Sequence, residues 1–228
     1  MLFLALSCLQ GRPMAAAAAE LLDLGVDGLQ LTPGNAPTRG FVAQLEADGV
    51  ATRTHHGFSP EAMRTPVWDG AALLVDADSV HPPTDVEFSA LLDAAEHNHL
   101  GDTALEVMYP GCLLGSGNQV REAMDRDIPL AVDVSHIHIQ RCAGTMSEAD
   151  WSALQDYDHI VEFHLSANDG RRDQHRLVEP DSFGVGWAIE ASQSRDVPLI
   201  CESYLHRVDH DERRRMVSQL QQLLAPAS

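Results

Sequence analysis

Short apolar runs alternate with amphipathic stretches along the whole chain, and this rhythm is the first property that needs a structural cause. The runs predict strands at Leu2–Leu6, Gly28–Leu31, Val50–His55, Ala71–Val75, Ala104–Met108, Pro129–Val134, Ile160–Leu165 and Pro198–Glu202. Helical spacing of apolar residues predicts helices at Met14–Leu24, Thr38–Ala47, Val86–Asn98, Gln119–Asp125, Ser147–Asp156, Gly186–Ser194 and Asp209–Leu224. The stretch from Gly57 to Asp69, broken by Pro60 and Pro66, carries the weakest pattern. Parallel strands need long crossovers, usually helical, so strand–helix repetition predicts an α/β fold with a parallel sheet. Eight repeats fit one (β/α)8 TIM barrel. A doubly wound open sheet gives the same alternation. The glycine-rich phosphate fingerprint of dinucleotide-binding sheets, however, is replaced by "SCLQGRP" after the first strand. With no linker, repeat or low-complexity tract, residues 1–228 are expected to form a single domain.

Charge narrows the partners. Fifteen basic against 34 acidic residues give a net charge of −19, a field that repels polyanions and argues against nucleic acid as a partner. Every basic residue is Arg, which removes lysine Schiff-base chemistry. The cysteines Cys8, Cys112, Cys142 and Cys201 show no paired spacing, so a reducing, cytoplasmic compartment is expected. The apolar N-terminus lacks the positive start of a signal peptide, and no run reaches the roughly 20 apolar residues of a membrane helix.

Candidate chemistry gathers at the C-terminal ends of the predicted strands. Strand three ends in "THHGF" (His55, His56), and "DSVHPP" supplies His81 after strand four. Glu106 lies in "ALEVMYPG", and Asp133, His136 and His138 lie in "AVDVSHIHI", read as the end of strand six. Strand seven carries Glu162 and His164, with Asp173 and His175 beyond it, and Glu202 closes strand eight in "PLICES". A lone strand-end Glu is more often a structural acceptor, and a lone loop His is usually solvated. Six successive strands bearing such a residue at one end form a different kind of signal, because a barrel's active site lies at that end. Glu162 and His164 also share one strand face, where an unpaired buried carboxylate is costly and a cation offsets the cost. His97, His99, His159, His206 and His210 fit surface or packing roles. So does Cys201, which lies on the opposite parity from Glu202.

These motifs resemble the xylose-isomerase-like TIM-barrel superfamily, which includes endonuclease-IV-like phosphodiesterases. The residues that carry the likeness are Glu106 of "LEV", Asp133 and His136 of "DVSH", His164 of "FHLS", Asp173 and His175 of "DQH", and Glu202 of "CES". His56 and His81 match two further histidines of members with a trinuclear site. The resemblance implies a first divalent ion on Glu106, Asp133, His164 and Glu202, with a donor set suited to Mn²⁺, Fe²⁺, Co²⁺ or Zn²⁺. If all nine residues participate, the resemblance implies that Glu106 bridges to a second ion on His56 and His81, with a third on His136, Asp173 and His175; if one ion binds, the outer histidines serve as substrate hydrogen-bonding groups. One to three ions are therefore expected.

Three chemistries share this scaffold. The first is isomerisation or epimerisation of a small polyhydroxy carbonyl compound, with Glu106 and Glu202 exchanging the proton around a metal-stabilised enediolate and His136 as a further catalytic candidate. The second resembles multinuclear non-heme iron enzymes that oxidise a peptide or small natural product, although "DVSH" stands where an Asn-rich version is expected. The third is phosphodiester cleavage, against which the −19 charge and 5% aromatic content stand. A barrel that keeps the ligands without catalysis is the bland alternative. The expected partner is a small molecule or short peptide. Tyr109 and Arg176 are further contact candidates, and Phe183 or Trp187 of "SFGVGW" a candidate wall of the pocket.

Overall fold

A computed structural model of the chain describes residues 1–31, 39–56, 77–83, 86–97 and 100–225, apart from the side chains of Arg39 and His56. Eight parallel strands close on themselves in sequence order, β1 pairing with both β2 and β8. They are β1 (Leu2–Ala5), β2 (Gly28–Leu31), β3 (Ala51–His56), β4 (Ser79–Val80), β5 (Ala104–Val107), β6 (Leu130–Asp133), β7 (Ile160–Leu165) and β8 (Leu199–Cys201). The helices are α1 (Met14–Leu22), α2 (Arg39–Ala47), α3 (Phe88–Glu96), α4 (Gly117–Asp125), α5 (Val134–Cys142), α6 (Glu148–Gln155), α7 (Val185–Arg195) and α8 (His210–Leu224). The chain is thus a (β/α)8 barrel, as the alternation predicts.

Two elements depart from the sequence reading. The predicted strand Ala71–Val75 and the weak stretch from Gly57 to Asp69 lie outside the described residues, and the fourth barrel strand is the two-residue Ser79–Val80. In addition, "VSHIHI" is helix α5 rather than the end of strand six. Its apolar–polar alternation reads as period two, but the Asp133 side chain accepts hydrogen bonds from Ser135 N at 2.6 Å and His136 N at 3.3 Å. That cap satisfies two amides a strand would have to place elsewhere and turns the chain into a helix at once.

The strands are apolar outward and polar inward. Leu4, Leu29, Leu105, Val132, Phe163, Leu165 and Leu199 are buried in the layer shared with the helices. The alternate positions meet across the barrel register: Ala5 opposite Gln30, Gln30 opposite Arg53, His55 opposite Ser79, Glu106 opposite Ala131, and Asp133 opposite His164. Barrel interiors of this type are usually filled by bulky branched side chains. Here small residues such as Ala5, Ala104 and Ala131 alternate with ionisable ones, and all are buried. Between β6 and β7 the register shifts: Leu130 pairs with Ile160 but Ala131 pairs with Glu162, so Val161 is passed over. Such a bulge re-aims the residues that follow it, here Glu162 and His164, toward the barrel axis.

Candidate metal centre

The centre is built around Glu106, fully buried on β5. Its Oε2 lies 3.2 Å from His55 Nε2 and 2.8 Å from His81 Nε2, and its Oε1 lies 3.3 Å from His136 Nδ1 and 3.5 Å from His164 Nδ1. None of these approaches has hydrogen-bond geometry, so both carboxylate oxygens remain without a hydrogen-bond partner. On the β8 side, Glu202 Oε1 sits 3.5 Å from His164 Nδ1. On the β6 side, Asp133 spends Oδ1 on capping α5 and leaves Oδ2 unpartnered, 3.6 Å from His136 Nε2. Asp173 Oδ2 lies 3.6 Å from that same nitrogen and 2.8 Å from His175 Nε2.

Each of four histidines is fixed from behind. His55 Nδ1 meets Ser79 Oγ at 2.9 Å, His136 Nδ1 meets the Val107 carbonyl at 3.0 Å, and His175 Nδ1 meets the Glu202 carbonyl at 3.1 Å. His164 Nε2 meets Glu162 Oε1 at 2.9 Å, and the other oxygen of Glu162 accepts from Arg53 Nε at 2.6 Å. In every case the remaining ring nitrogen faces the shared acidic space. Metal-binding histidines are typically held in this way, one nitrogen anchored and the other presented.

The electrostatics ask for a cation. Glu106, Asp133, Glu162 and Glu202 are all buried, with Asp173 at the rim and Arg53 as the guanidinium among them. Burial alone would lower His136, but Asp133, Asp173 and Glu106 overcome it and raise the ring to about 10. His175 is raised to about 9 against burial, mainly by Asp173. Burial likewise works against the charge of His164, yet Glu202 and Glu106 hold it well above the normal value. These protons occupy the place a metal ion would take. His55 behaves differently, because burial lowers it to about 3 and leaves it a neutral donor. Burial raises Glu202, with Glu106 adding to the effect. Burial also acts to raise Glu106, but His81, His164 and His55 pull it well below the usual range.

The donors fit a divalent transition metal. Among the described residues, three compact sets have donor atoms within 4.8 Å of one another: His55, His164 and Glu202; His55, His81 and Glu106; and Glu106, Asp133 and His136. Among the described residues eight buried side-chain atoms lack a hydrogen bond, and six of them, both Glu106 oxygens, Asp133 Oδ2, His136 Nε2, His164 Nδ1 and Asp173 Oδ1, belong to this cluster; the other two are Gln30 Oε1 and Gln140 Oε1. Mixed imidazole and carboxylate donors suit Mn²⁺, Fe²⁺, Co²⁺ or Zn²⁺.

The fold brings Glu106, Asp133, His136, His164, Asp173, His175, Glu202 and His81 together. His56 ends β3, and its side chain lies outside the described residues; the histidine of that pair seen to reach Glu106 is His55. Strand parity is the signal for it, since His55 shares a face with Arg53, whose guanidinium meets Glu162. Glu162 emerges as the group behind His164. His138 leaves the cluster, with Nδ1 on Asn168 Oδ1 at 2.9 Å and its ring stacked on Phe183. Trp187 packs against Trp151 and Phe163 rather than serving as a pocket wall, and Arg176 pairs with Asp169. Tyr109 stands edge-on to His136 at 5.0 Å. Cys201 is fully buried, and burial pushes its thiol up to about 11.

No protein-family model matches the sequence, and no curated protein is significantly similar to it. Solved structures do share its fold. A protein described as D-tagatose 3-epimerase-like aligns with a TM-score of 0.63 at 14% identity, covering 98% of this chain and 97% of its own. A xylose isomerase domain protein from Alicyclobacillus acidocaldarius subsp. acidocaldarius aligns with a TM-score of 0.65 at 12% identity, covering 98% of each chain. At such identities the likeness establishes the barrel, and the chemistry must come from the site.

Proposed function

We propose that this barrel is a divalent-metal-dependent enzyme of isomerase or epimerase type, acting on a small polyhydroxy carbonyl compound. The observation that supports the metal dependence is the set of anchored histidines, of which His55, His136 and His164 present their second nitrogen to buried carboxylate oxygens that lack a hydrogen-bond partner, and His175 to Asp173 at the rim. The fold likeness to a D-tagatose 3-epimerase-like protein and a xylose isomerase domain protein supports the reaction type. Glu106, Asp133, His164 and Glu202, with His55 and His81 beside them, would hold the metal. When bound, it supplies Lewis-acid polarisation of the substrate carbonyl. Glu202, held above the usual carboxyl range, is suited to take a proton from the carbon next to that carbonyl and return it. Glu106, held ionised, does the same from the opposite side. His136, fixed on the Val107 carbonyl, presents Nε2 to a substrate oxygen.

One observation favours a second reading, a multinuclear iron enzyme that oxidises a peptide or small natural product. Glu106 offers one oxygen to His55 and His81 and the other to the His136 and His164 side, as a carboxylate bridging two ions does. Metal analysis of chelator-free protein separates the two. About one Mn²⁺ or Co²⁺ per chain, with wash-in of solvent deuterium next to the carbonyl of a ketose, supports the isomerase. Two or three irons with substrate-dependent O₂ uptake would replace it with the oxidase.

A further inference from the structure

Beside the centre, an open cavity of about 560 Å³ lies between Tyr109 after β5, Ile139 and Cys142 of α5, and the loop from Gly170 to Asp173. Asp173 belongs to both spaces, since its Oδ2 meets His136 and His175. The loop has a defined shape. Asn168 Oδ1 accepts from Gly170 N at 2.8 Å, Asp169 Oδ1 from Arg171 N at 3.1 Å, and Gln174 Oε1 from Asp169 N at 3.1 Å. It presents Arg171 and Arg172 at the cavity wall, both exposed.

These two arginines stand apart from most others in this molecule. Arg53, Arg121, Arg126, Arg141, Arg213 and Arg214 each hold a carboxylate. In a chain of net charge −19, acidic partners are abundant. Yet the side chains of Arg171 and Arg172 make no hydrogen bond or ion pair among the described residues, a property shared with Arg215 on α8 and with Arg207, which instead stacks over Tyr204. Two adjacent guanidinium groups outside any ion pair among the described residues, with Asp169 close enough to Arg172 to feel its charge, form a binding point for an oxyanion, because the planar fork matches phosphate or carboxylate oxygens. The Asp173 carboxylate in the same wall works against an anion. The C-terminal end of α5, at Cys142 and Ala143, adds partial negative charge to the cavity, so binding depends on the arginine pair.

We infer that this cavity is an anion subsite, in which Arg171 and Arg172 hold a phosphate or carboxylate group of the substrate while the remainder extends past Tyr109 and Asp173 to the metal centre. Resting on the enzyme reading above, it narrows the substrate class to anionic compounds, a sugar phosphate or sugar acid rather than a neutral sugar. The thiol of Cys142 is a local reporter, because it is exposed and a side chain on Gly170 would lie 2.4 Å from its sulfur.

The test uses the full chain, both metal-free and metal-loaded. Inorganic phosphate, glycerol 3-phosphate and glycerate are titrated calorimetrically, while iodoacetamide labelling of Cys142 is followed by peptide mass spectrometry. Phosphate and at least one of the two organic anions should bind saturably without metal and slow Cys142 labelling, whereas glycerol should do neither; which organic anion binds distinguishes phosphate from carboxylate substrates. R171A/R172A should weaken binding by at least about tenfold, since charge-assisted pairs supply most of it. R126A/R215A, equal in charge change but distant, should stay within about twofold of the wild type. Absence of saturable binding, or unchanged binding in R171A/R172A, overturns the subsite. Metal titration of the same samples keeps the two ideas apart: metal binding without phosphate binding sinks the subsite alone, and phosphate binding without metal binding sinks the enzyme reading alone.

Discussion

A histidine donates to a metal only as well as its far nitrogen is held, and at His164 the holder is Glu162, fixed in turn by Arg53. Burial works to raise the Glu162 carboxyl, but His164 and Arg53 bring it to about 2, so it stays a hydrogen-bond acceptor. Glu162→Gln should therefore lower the affinity for Mn²⁺ or Co²⁺ by about 10- to 100-fold, the usual cost of losing such a partner, as read by chelator competition. Affinity unchanged from the wild type would remove Glu162 from the site's support. Two histidines of the centre give a pH signature. His136 and His175 are raised to about 10 and about 9, above their unfolded value of about 6.5. Their contribution to stability is complete below pH about 6.5 and is lost as pH climbs through 9 and 10. Metal-free protein should accordingly melt at progressively lower temperature between pH 7 and 10. Metal-loaded protein, in which the ion replaces those protons, should show a flatter profile in the same melts.

Which elements could be read from the chain depended on how much of each element's pattern was its own. Strands β1, β2, β5 and β7 are compact apolar runs and lie within a residue of where periodicity puts them. The fourth strand has only Ser79 and Val80, too short to carry a hydrophobic pattern, and its neighbours define it. Helix α5 was hidden for the opposite reason: "VSHIHI" has a pattern, but the Asp133 cap decides the backbone against it. That carboxylates and imidazoles gather at the strand ends was legible, because each lies at the end of a run whose period places it there. The approach of His55 to Glu106 was not, since it depends on where β3 begins its alternation. Groups behind the ligands, such as Arg53 and Ser79, meet them only through the closed register. That closure also constrains Gly28, where a Cβ would lie 2.4 Å from the Phe3 ring and 2.5 Å from the Ala51 carbonyl. Gly28→Ala should destabilise the barrel by about 1–3 kcal/mol in urea denaturation, the range for overpacking a filled interior. A change near zero would mean β1 to β3 are less tightly joined than their register indicates.

At the scale of the whole molecule, one barrel end concentrates a charge that the rest of the fold does not compensate. Glu106, Asp133, Glu162 and Glu202 are buried together in a protein already at −19, with Arg53 as the cation among them and protonated imidazoles beyond it. A centre of this kind opposes folding while empty and rewards it when filled. A ligand bound only by the folded state stabilises it by about 2.7 kcal/mol at a hundredfold excess over its Kd. Mn²⁺ or Co²⁺ should therefore raise the melting temperature saturably, with reversal by chelator. Glu202→Gln separates this effect from ordinary packing. It removes one carboxylate from a site where burial already disfavours the charge, while keeping the shape of the side chain. The metal-free variant should melt at or above the temperature of metal-free wild type, and its metal-dependent shift should shrink or vanish. If the variant instead melts lower without metal and keeps the full metal-dependent shift, Glu202 serves packing rather than the ion. The strand-end acids would then need a reason other than a cation for sharing one buried space.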